Sequence, residues 1–322
     1  MPKLSIRDID LADKRVFIRV DFNVPLTEDG RTITDDTRIV ATLPTIVYAI
    51  RHKAKVILAS HLGRPKGKPN PKYSLRPVVD RLRELLDKEV SEGVNVAFSP
   101  DCVGEVAEEL ARQLESRQVL LLENLRFHPE EEANDAGFSK RLAALAEIYV
   151  NDAFGSAHRA HASTEGITHF LKPSVAGLLM EKEITYLGKA LEAPEKPFVA
   201  ILGGSKISGK IDVIQNLLDK VDTLVIVGGM AYTFYRSKGV AVGKSLVEED
   251  KIDLARETME KARAKGVNLL LPVDNILADK FANDAKTQEW DTSRDFPAEW
   301  QGLDIGPKSV TAIEDVISTA RT

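Results

Sequence analysis

The 322 residues carry a formal net charge of -5, with 29% charged and 43% hydrophobic residues, a globular composition long enough for two domains that each bury a core. The acidic balance argues against a nucleic-acid binder held by phosphate contacts, and no uninterrupted apolar run reaches the ~18 residues of a membrane span, so neither nucleic acid nor membrane is an expected partner. One cysteine, Cys102, excludes an intrachain disulfide, and the start MPKLSIRDID lacks the apolar core of a signal peptide; a cytoplasmic location is expected.

In the first half, short runs rich in Val, Ile and Leu recur with amphipathic segments between them: RVFIRV, KVILAS, NVAFS, VLLLEN and IYVND. Such alternation predicts βαβ units and a parallel sheet. Residues 35–51, opened by DDT as an N-cap and carrying Ile39, Leu43, Ile46, Val47 and Ile50 at helical spacing, predict a crossover helix. Cys102 sits ahead of an apolar helical pattern and reads as a structural residue. Met180, Ile184, Leu187 and Leu191 predict a connecting helix that EAPEKP (192–197) ends. The expected domains are therefore 1–172, a connector over 173–192, and 193–322. The second half repeats the logic with FVAILGG, TLVIVGG and NLLLPVD as strands and helical patterns at 211–219, 248–265 and 309–320.

Ligands of an open parallel sheet bind outside the carboxyl ends of its strands, so the residues that follow each apolar run matter most. After RVFIRV come Asp21, Phe22 and Asn23. After KVILA come Ser60, His61, Leu62, Gly63 and Arg64. Arg126 follows VLLLEN, and His158, Arg159 and His161 follow IYVND. Any one of these alone reads as a solvated surface residue. Four coincidences at one sheet edge, with Arg38 at the start of the first crossover helix, point instead to a pocket for a small polyanion, because Arg captures phosphate or carboxylate bidentately. His158 and His161 have no Cys or carboxylate at ligand spacing, and no metal site is assigned to them.

In AILGGSKISGKIDV (200–213), Gly204, four residues and then Gly209-Lys210 match most of a P-loop, but Ile211 stands where a Ser or Thr hydroxyl should hold magnesium. A P-loop ATPase fails there. A nicotinamide dehydrogenase fails as well, because neither LGGSKIS nor VGGMAYT supplies GxGxxG after a strand. Gly203 and Gly204 still allow backbone approach to phosphate.

VDFNVP (20–25), SHLGRP (60–65), LLENLRFH (121–128), NDAFGSAHRAH (151–161), LGGSKISGK (202–210) and GKSLVEED (243–250) resemble phosphoglycerate kinases, in that family's order and over the whole chain. The resemblance implies an α/β fold of two Rossmann-like lobes, parallel sheets flanked by helices, facing a cleft. It also implies reversible phosphoryl transfer between ATP and the carboxylate of 3-phosphoglycerate by a monomer. Carried over residue by residue, Asp21, Phe22 and Asn23, with His61, Leu62, Gly63, Arg64, Arg126, His158 and Arg159, would bind 3-phosphoglycerate, and Arg38 would reach its carboxyl or the phosphoryl group in flight. Lys206 and Lys210 would contact the phosphates of Mg2+-bound ATP or ADP beside Gly203 and Gly204, and Gly228, Gly229, Gly302 and Leu303 would belong to the adenosine pocket. Arg38, Lys206 and Lys210 are the expected catalytic residues. No residue up to Thr322 is an expected metal ligand; the resemblance places the Asp near the magnesium in the segment of the family's pattern that follows.

The sequence departs from the family's pattern at Gly209, where many relatives carry Asp, and at Val227, which replaces a first glycine. The family's pattern also continues past the equivalent of Thr322 with further strands and an Asp-bearing glycine loop. On that comparison the C-terminal lobe is expected to be incomplete, with reduced turnover, weak Mg-nucleotide affinity and aggregation. The alternative reading is a catalytically weak chain that only binds 3-phosphoglycerate.

Overall fold

The computed structural model describes residues 4–90 and 93–322. Two compact units divide at Tyr186 and Leu187. In the first, the chain runs β1 (Arg15–Arg19), α1 (Thr37–Arg51), β2 (Lys55–Ala59), α2 (Arg76–Glu89), β3 (Val96–Ser99), α3 (Glu105–Gln113), β4 (Val119–Leu122), α4 (Pro129–Glu132), α5 (Ala136–Ala143), β5 (Ile148–Asn151), α6 (Phe154–Ala157) and β6 (Ser174–Ala176), and then enters α7 (Leu178–Glu192). The strands form one six-stranded sheet in the order β3-β4-β2-β1-β5-β6, with every pair parallel.

Both faces of this sheet are covered, which is why its strands read as unbroken apolar runs. Val16, Ile18, Val56, Leu58, Val119 and Leu121 point to one face, where Ile39, Ile46 and Ile50 of α1 and Val78, Leu82 and Leu86 of α2 pack on them. Phe17, Ile57, Leu120, Leu122 and Tyr149 point to the other, against Ala107 and Ala111 of α3 and Phe138 and Leu142 of α5. The period of two along each strand decides the face. Arg19 follows Phe17 onto the second face and is 1% exposed, in register with Ala59 and Asn151.

Helix α1 starts at Thr37, two residues after the expected start. Asp35 accepts the Thr37 N–H at 2.8 Å. Asp36, in the N-cap position, makes no side-chain cap, because its carboxylate is held by Arg81 of α2 at 2.7 Å. Strand β6 was absent from the sequence reading. Its three residues, SVA, are too short for a period, and the parallel ladder with β5 stabilises them.

The second unit contains β7 (Val199–Leu202), α8 (Ile211–Leu217), β8 (Thr223–Ile226), α9 (Met230–Ser237), α10 (Ile252–Ala264), β9 (Asn268–Leu270), β10 (Asp274–Ala278), β11 (Thr287–Asp291), β12 (Gln301–Ile305) and α11 (Pro307–Ser318). Strands β7, β8 and β9 make a parallel sheet in that order, and β11-β10-β12 make a separate antiparallel one. NLLLPVD is therefore not one strand. Pro272 lacks the N–H that a ladder needs, and the chain leaves β9 and enters a different sheet at Asp274. The unit division falls inside α7, the helix expected as the connector, and of the four apolar positions that predicted α7 only Met180 is buried, with Leu187 and Leu191 44% and 40% exposed. Among the described residues no helix is long and apolar enough to cross a membrane.

Candidate active site

In the first sheet the chain leaves β1 toward β2 on one side and β5 toward β6 on the other, which opens a crevice at the carboxyl ends of the central strands. A cleft of about 430 Å3 lies there, lined by Asp21 and Asn23 after β1, Arg38 of α1, His61, Gly63 and Arg64 after β2, Arg126 after β4, and Arg159 in the segment after β5. The folded chain thus brings residues from four strand ends to one place, with basic side chains from three of those ends and from α1.

Hydrogen bonds between the loops hold them in register. Asn124 is fully used: its Oδ1 accepts the N–H groups of Leu62 and Arg126 at 3.2 and 3.0 Å, and its Nδ2 donates to Leu62 O and Tyr73 O at 2.8 Å each. Asn23 Oδ1 accepts the Gly63 N–H at 2.8 Å. Gly63 has φ +60°, and a Cβ there would strike the Tyr73 ring. Arg126, 6% exposed, donates from Nη1 to Gly63 O at 3.0 Å, and its Nε lies 3.2 Å from Glu132 without the alignment of a hydrogen bond. Arg38 is half exposed and donates from Nη1 to Asp21 Oδ2 at 2.6 Å. Arg64 and Arg159 are exposed and free to meet an anion from solvent.

Three expected residues do not present side chains to this cleft. Phe22 and Leu62 belong to the buried core, because each alternates to the inner side of its strand end. His158 is exposed outside the lining and touches it only through Arg159, whose Nε is 3.3 Å from His158 Nε2. Conversely, Thr42, Asp152, Leu179 and Glu183 line the cleft and were not singled out. Thr42 lies one helical turn after Arg38 and Asp152 ends IYVND, so both were legible in principle; Leu179 and Glu183 arrive from α7 and needed the fold. Asp152 Oδ1 accepts the Leu179 and Met180 N–H groups at 2.9 and 3.1 Å, while its Oδ2 is buried without a partner. Burial, only partly offset by hydrogen bonds from Thr45 and the α7 backbone, pushes the Asp152 carboxyl up to about 6. Burial, together with the Arg19 and Arg126 charges, pushes His61 down to about 2.

In the second unit the turns after β7 and β8 meet backbone to backbone. A Cβ on Gly228 (φ +72°) would come 3.1 Å from Gly204 N and O, one on Gly229 would come 3.2 Å from Ser205 Cα, and Met230 N–H donates to Gly204 O at 2.9 Å. Gly203 is exposed on the same turn. Glu248, from the GKSLVEED motif, pins the loop by accepting the N–H groups of Ile207 and Ser208 at 2.7 and 3.1 Å and the Ser208 hydroxyl at 2.6 Å. Lys206 is exposed and Lys210 half-buried, with its Cε 3.0 Å from where a Cβ on Gly204 would sit. Gly302 and Leu303 are in β12 of the antiparallel sheet. Gly302 is buried against the Tyr232 hydroxyl of α9, where a Cβ would collide, so packing alone accounts for this glycine.

Cys102 is fully buried, and burial with the Asp101 and Glu131 charges raises its thiol well above the ordinary value, as befits a structural residue. Asp101, Cys102 and His128 each place one donor atom within 4.8 Å of the others. The imidazole is already committed to Asp101 Oδ1 at 2.7 Å.

A parallel sheet with arginines gathered at its carboxyl edge, joined to a unit whose glycine turns expose backbone beside two lysines, is the arrangement expected of an α/β phosphotransferase. A family model described as phosphoglycerate kinase matches residues 6–322. A phosphoglycerate kinase of Acidobacterium capsulatum is 73% identical over all 322 residues, which cover 80% of that protein, and one of Koribacter versatilis is 62% identical with the same coverage. The solved phosphoglycerate kinases of Coxiella burnetii and Pyrococcus horikoshii align with TM-scores of 0.78 and 0.81 at 41% and 30% identity. They cover 100% and 99% of this chain, and 79% of each of those chains is matched. The chain belongs to the phosphoglycerate kinase family, whose members are glycolytic phosphotransferases. The match runs through both units, so the comparisons support the kinase and not the alternative of a chain that only binds 3-phosphoglycerate.

Proposed function

We propose that the first unit binds 3-phosphoglycerate in its basic cleft and that the second binds the phosphates of ATP or ADP at the 202–210 loop, the two serving reversible phosphoryl transfer to the substrate carboxylate. The observation that carries this reading is the convergence of Arg38, His61, Arg64, Arg126 and Arg159 on one cleft of about 430 Å3. A carboxylate is ionised at neutral pH, so the attacking group needs no general base. The chain's work is to align two anions and offset their charge. In the first unit, Arg64, Arg126 and Arg159 offer guanidinium groups to the substrate's phosphate and carboxylate, Asp21 and Asn23 face its hydroxyl, and Arg38 opposes the charge at its carboxyl; in the second, Lys206 and Lys210 oppose the charge of the nucleotide phosphates.

The glycine turns fit a phosphate chain. Gly204, Gly228 and Gly229 leave the backbone bare where a Cβ would meet its neighbours. They do not fit the metal: Ile211 has no hydroxyl, and Ser208 and Glu248 are bonded to each other. A cytoplasmic monomer is the accompanying reading; several relatives, one of them from Triticum aestivum at 56% identity, are named cytosolic phosphoglycerate kinases.

Charge-assisted hydrogen bonds are each worth about 1.5 to 3 kcal/mol. Arg64→Ala and Arg126→Ala should each weaken 3-phosphoglycerate binding roughly tenfold or more, and added salt should weaken it further. Isothermal titration with 3-phosphoglycerate, alongside a coupled ATP and 3-phosphoglycerate assay, tests this; unchanged affinity in both variants refutes the site.

A further inference from the structure

We propose that Arg19 is a positioning residue which holds His61 as the neutral Nε2–H tautomer, so that this imidazole meets the substrate as a hydrogen-bond donor and not as a cation. Arg19 Nη2 lies 3.1 Å from His61 Nδ1. A guanidinium has donors only, so Nδ1 must present its lone pair, and the single proton of the neutral ring then belongs to Nε2. A proton on Nδ1 would set two donors against each other, and with Nε2 still protonated it would also add a second positive charge beside a buried one.

Arg19 cannot turn away to relieve such a conflict. It is 1% exposed, its Nε donates to Ser163 Oγ at 2.9 Å, and its Nη1 donates to Val20 O. A buried guanidinium needs compensation, which Glu131 supplies. That carboxylate is fully buried and is joined to Arg19 through Ser163, whose hydroxyl donates to Glu131 Oε1 at 2.6 Å and whose N–H donates to Oε2 at 3.0 Å. The ionisable groups that face His61 are Arg19 from β1, Arg126 after β4, and Arg159 and His161 after β5, so the ring is surrounded by cations and a neutral imidazole. Its Nε2 has no protein partner among the described residues, and the ring lines the cleft.

The consequence rests on reading the cleft as the 3-phosphoglycerate site. Its charge then comes from guanidinium groups, while His61 contributes one directional N–H that persists across the pH range in which a histidine ordinarily changes charge.

Nitrogen-15 NMR of the histidine rings in the full chain, with His61 assigned by His61→Gln, tests the tautomer directly. The expected result is a bare Nδ1 and a protonated Nε2 that do not titrate between about pH 5 and 8. A protonated Nδ1, or ordinary titration of His61, overturns the proposal without requiring any variant of Arg19 to fold. In Arg19→Met the ring should pass to a mixture of the two neutral tautomers, because burial and Arg126 still oppose its charging while nothing holds Nδ1 bare, and KM for 3-phosphoglycerate should rise several-fold with kcat changed less. A ring that keeps Nδ1 bare in the variant would mean that Arg19 serves stability alone and would overturn the positioning role. Adding 3-phosphoglycerate should shift the Nε2–H resonance. If that resonance stays fixed while Nδ1 is bare, the site reading and the donor role fail together and the tautomer assignment survives.

Discussion

Arg38 and Arg126 show how differently two arginines of one cleft are prepared. Arg126 is buried at the mouth of the sheet and fixed to Gly63 O, so its guanidinium meets an anion without first losing conformational freedom. Arg38 is half exposed and held only by Asp21, and a substrate or transferring group can draw it away at little cost. On the proposed reading, that asymmetry suits Arg126 to ground-state binding and Arg38 to the charge of the transition state. Arg38→Ala should therefore lower kcat by orders of magnitude while moving the dissociation constant for 3-phosphoglycerate much less. A variant that loses affinity but keeps its turnover number would reverse the two roles.

At the scale of elements, the glycine turns are shaped by a contact made from far along the chain. Glu248 lies some forty residues after Ser208 and satisfies the two N–H groups that begin the short turn ahead of α8. Burial opposes its ionisation, but the hydrogen bonds from Ser208 and Ile207 outweigh that and lower its pKa. Glu248→Ala frees those donors, so the 202–210 loop should lose its shape. Nucleotide affinity is expected to fall by up to about tenfold, with 3-phosphoglycerate affinity unchanged and faster hydrogen exchange at Ile207 and Ser208. Titrations and exchange rates identical to wild type would show that the loop holds its form unaided.

For the molecule as a whole, the junction between the sheet of the first unit and α7 is one place where pH acts. Asp152 ends β5 and binds the first turn of α7, with one oxygen unpartnered and a carboxyl raised to about 6. A raised carboxyl pKa means that the folded chain holds this proton more tightly than the unfolded one. Its contribution to stability is therefore complete below the unfolded value of about 4 and is lost as pH rises through about 6. Asp152→Asn keeps the Oδ1 acceptor and removes the charge. It should stabilise the protein at pH 8 by about 3 kcal/mol, an order-of-magnitude figure from the size of the shift, and make little difference near pH 4. Denaturant unfolding at the two pH values checks this, and equal effects at both would refute the linkage.

Chain-local signals were enough for the parallel strands other than β6, the crossover helix and the basic cleft. A strand buried on both faces is apolar throughout, and the residue after it is where a ligand binds, so KVILAS followed by His61 and Arg64 could be read in place. What tertiary structure decided is what depends on distant partners. The antiparallel sheet β11-β10-β12 pairs segments whose own patterns are mixed, such as TQEWD, and Phe22 and Leu62 turn into the core although they sit in the motifs. Gly302 is small because Tyr232 fills its space. Arg19 looks in RVFIRV like one more strand-end cation. Only packing against Ser163, Glu131 and His61 makes it a buried donor, because the direction of a hydrogen bond depends on which groups the fold brings within 3 Å or so of each other.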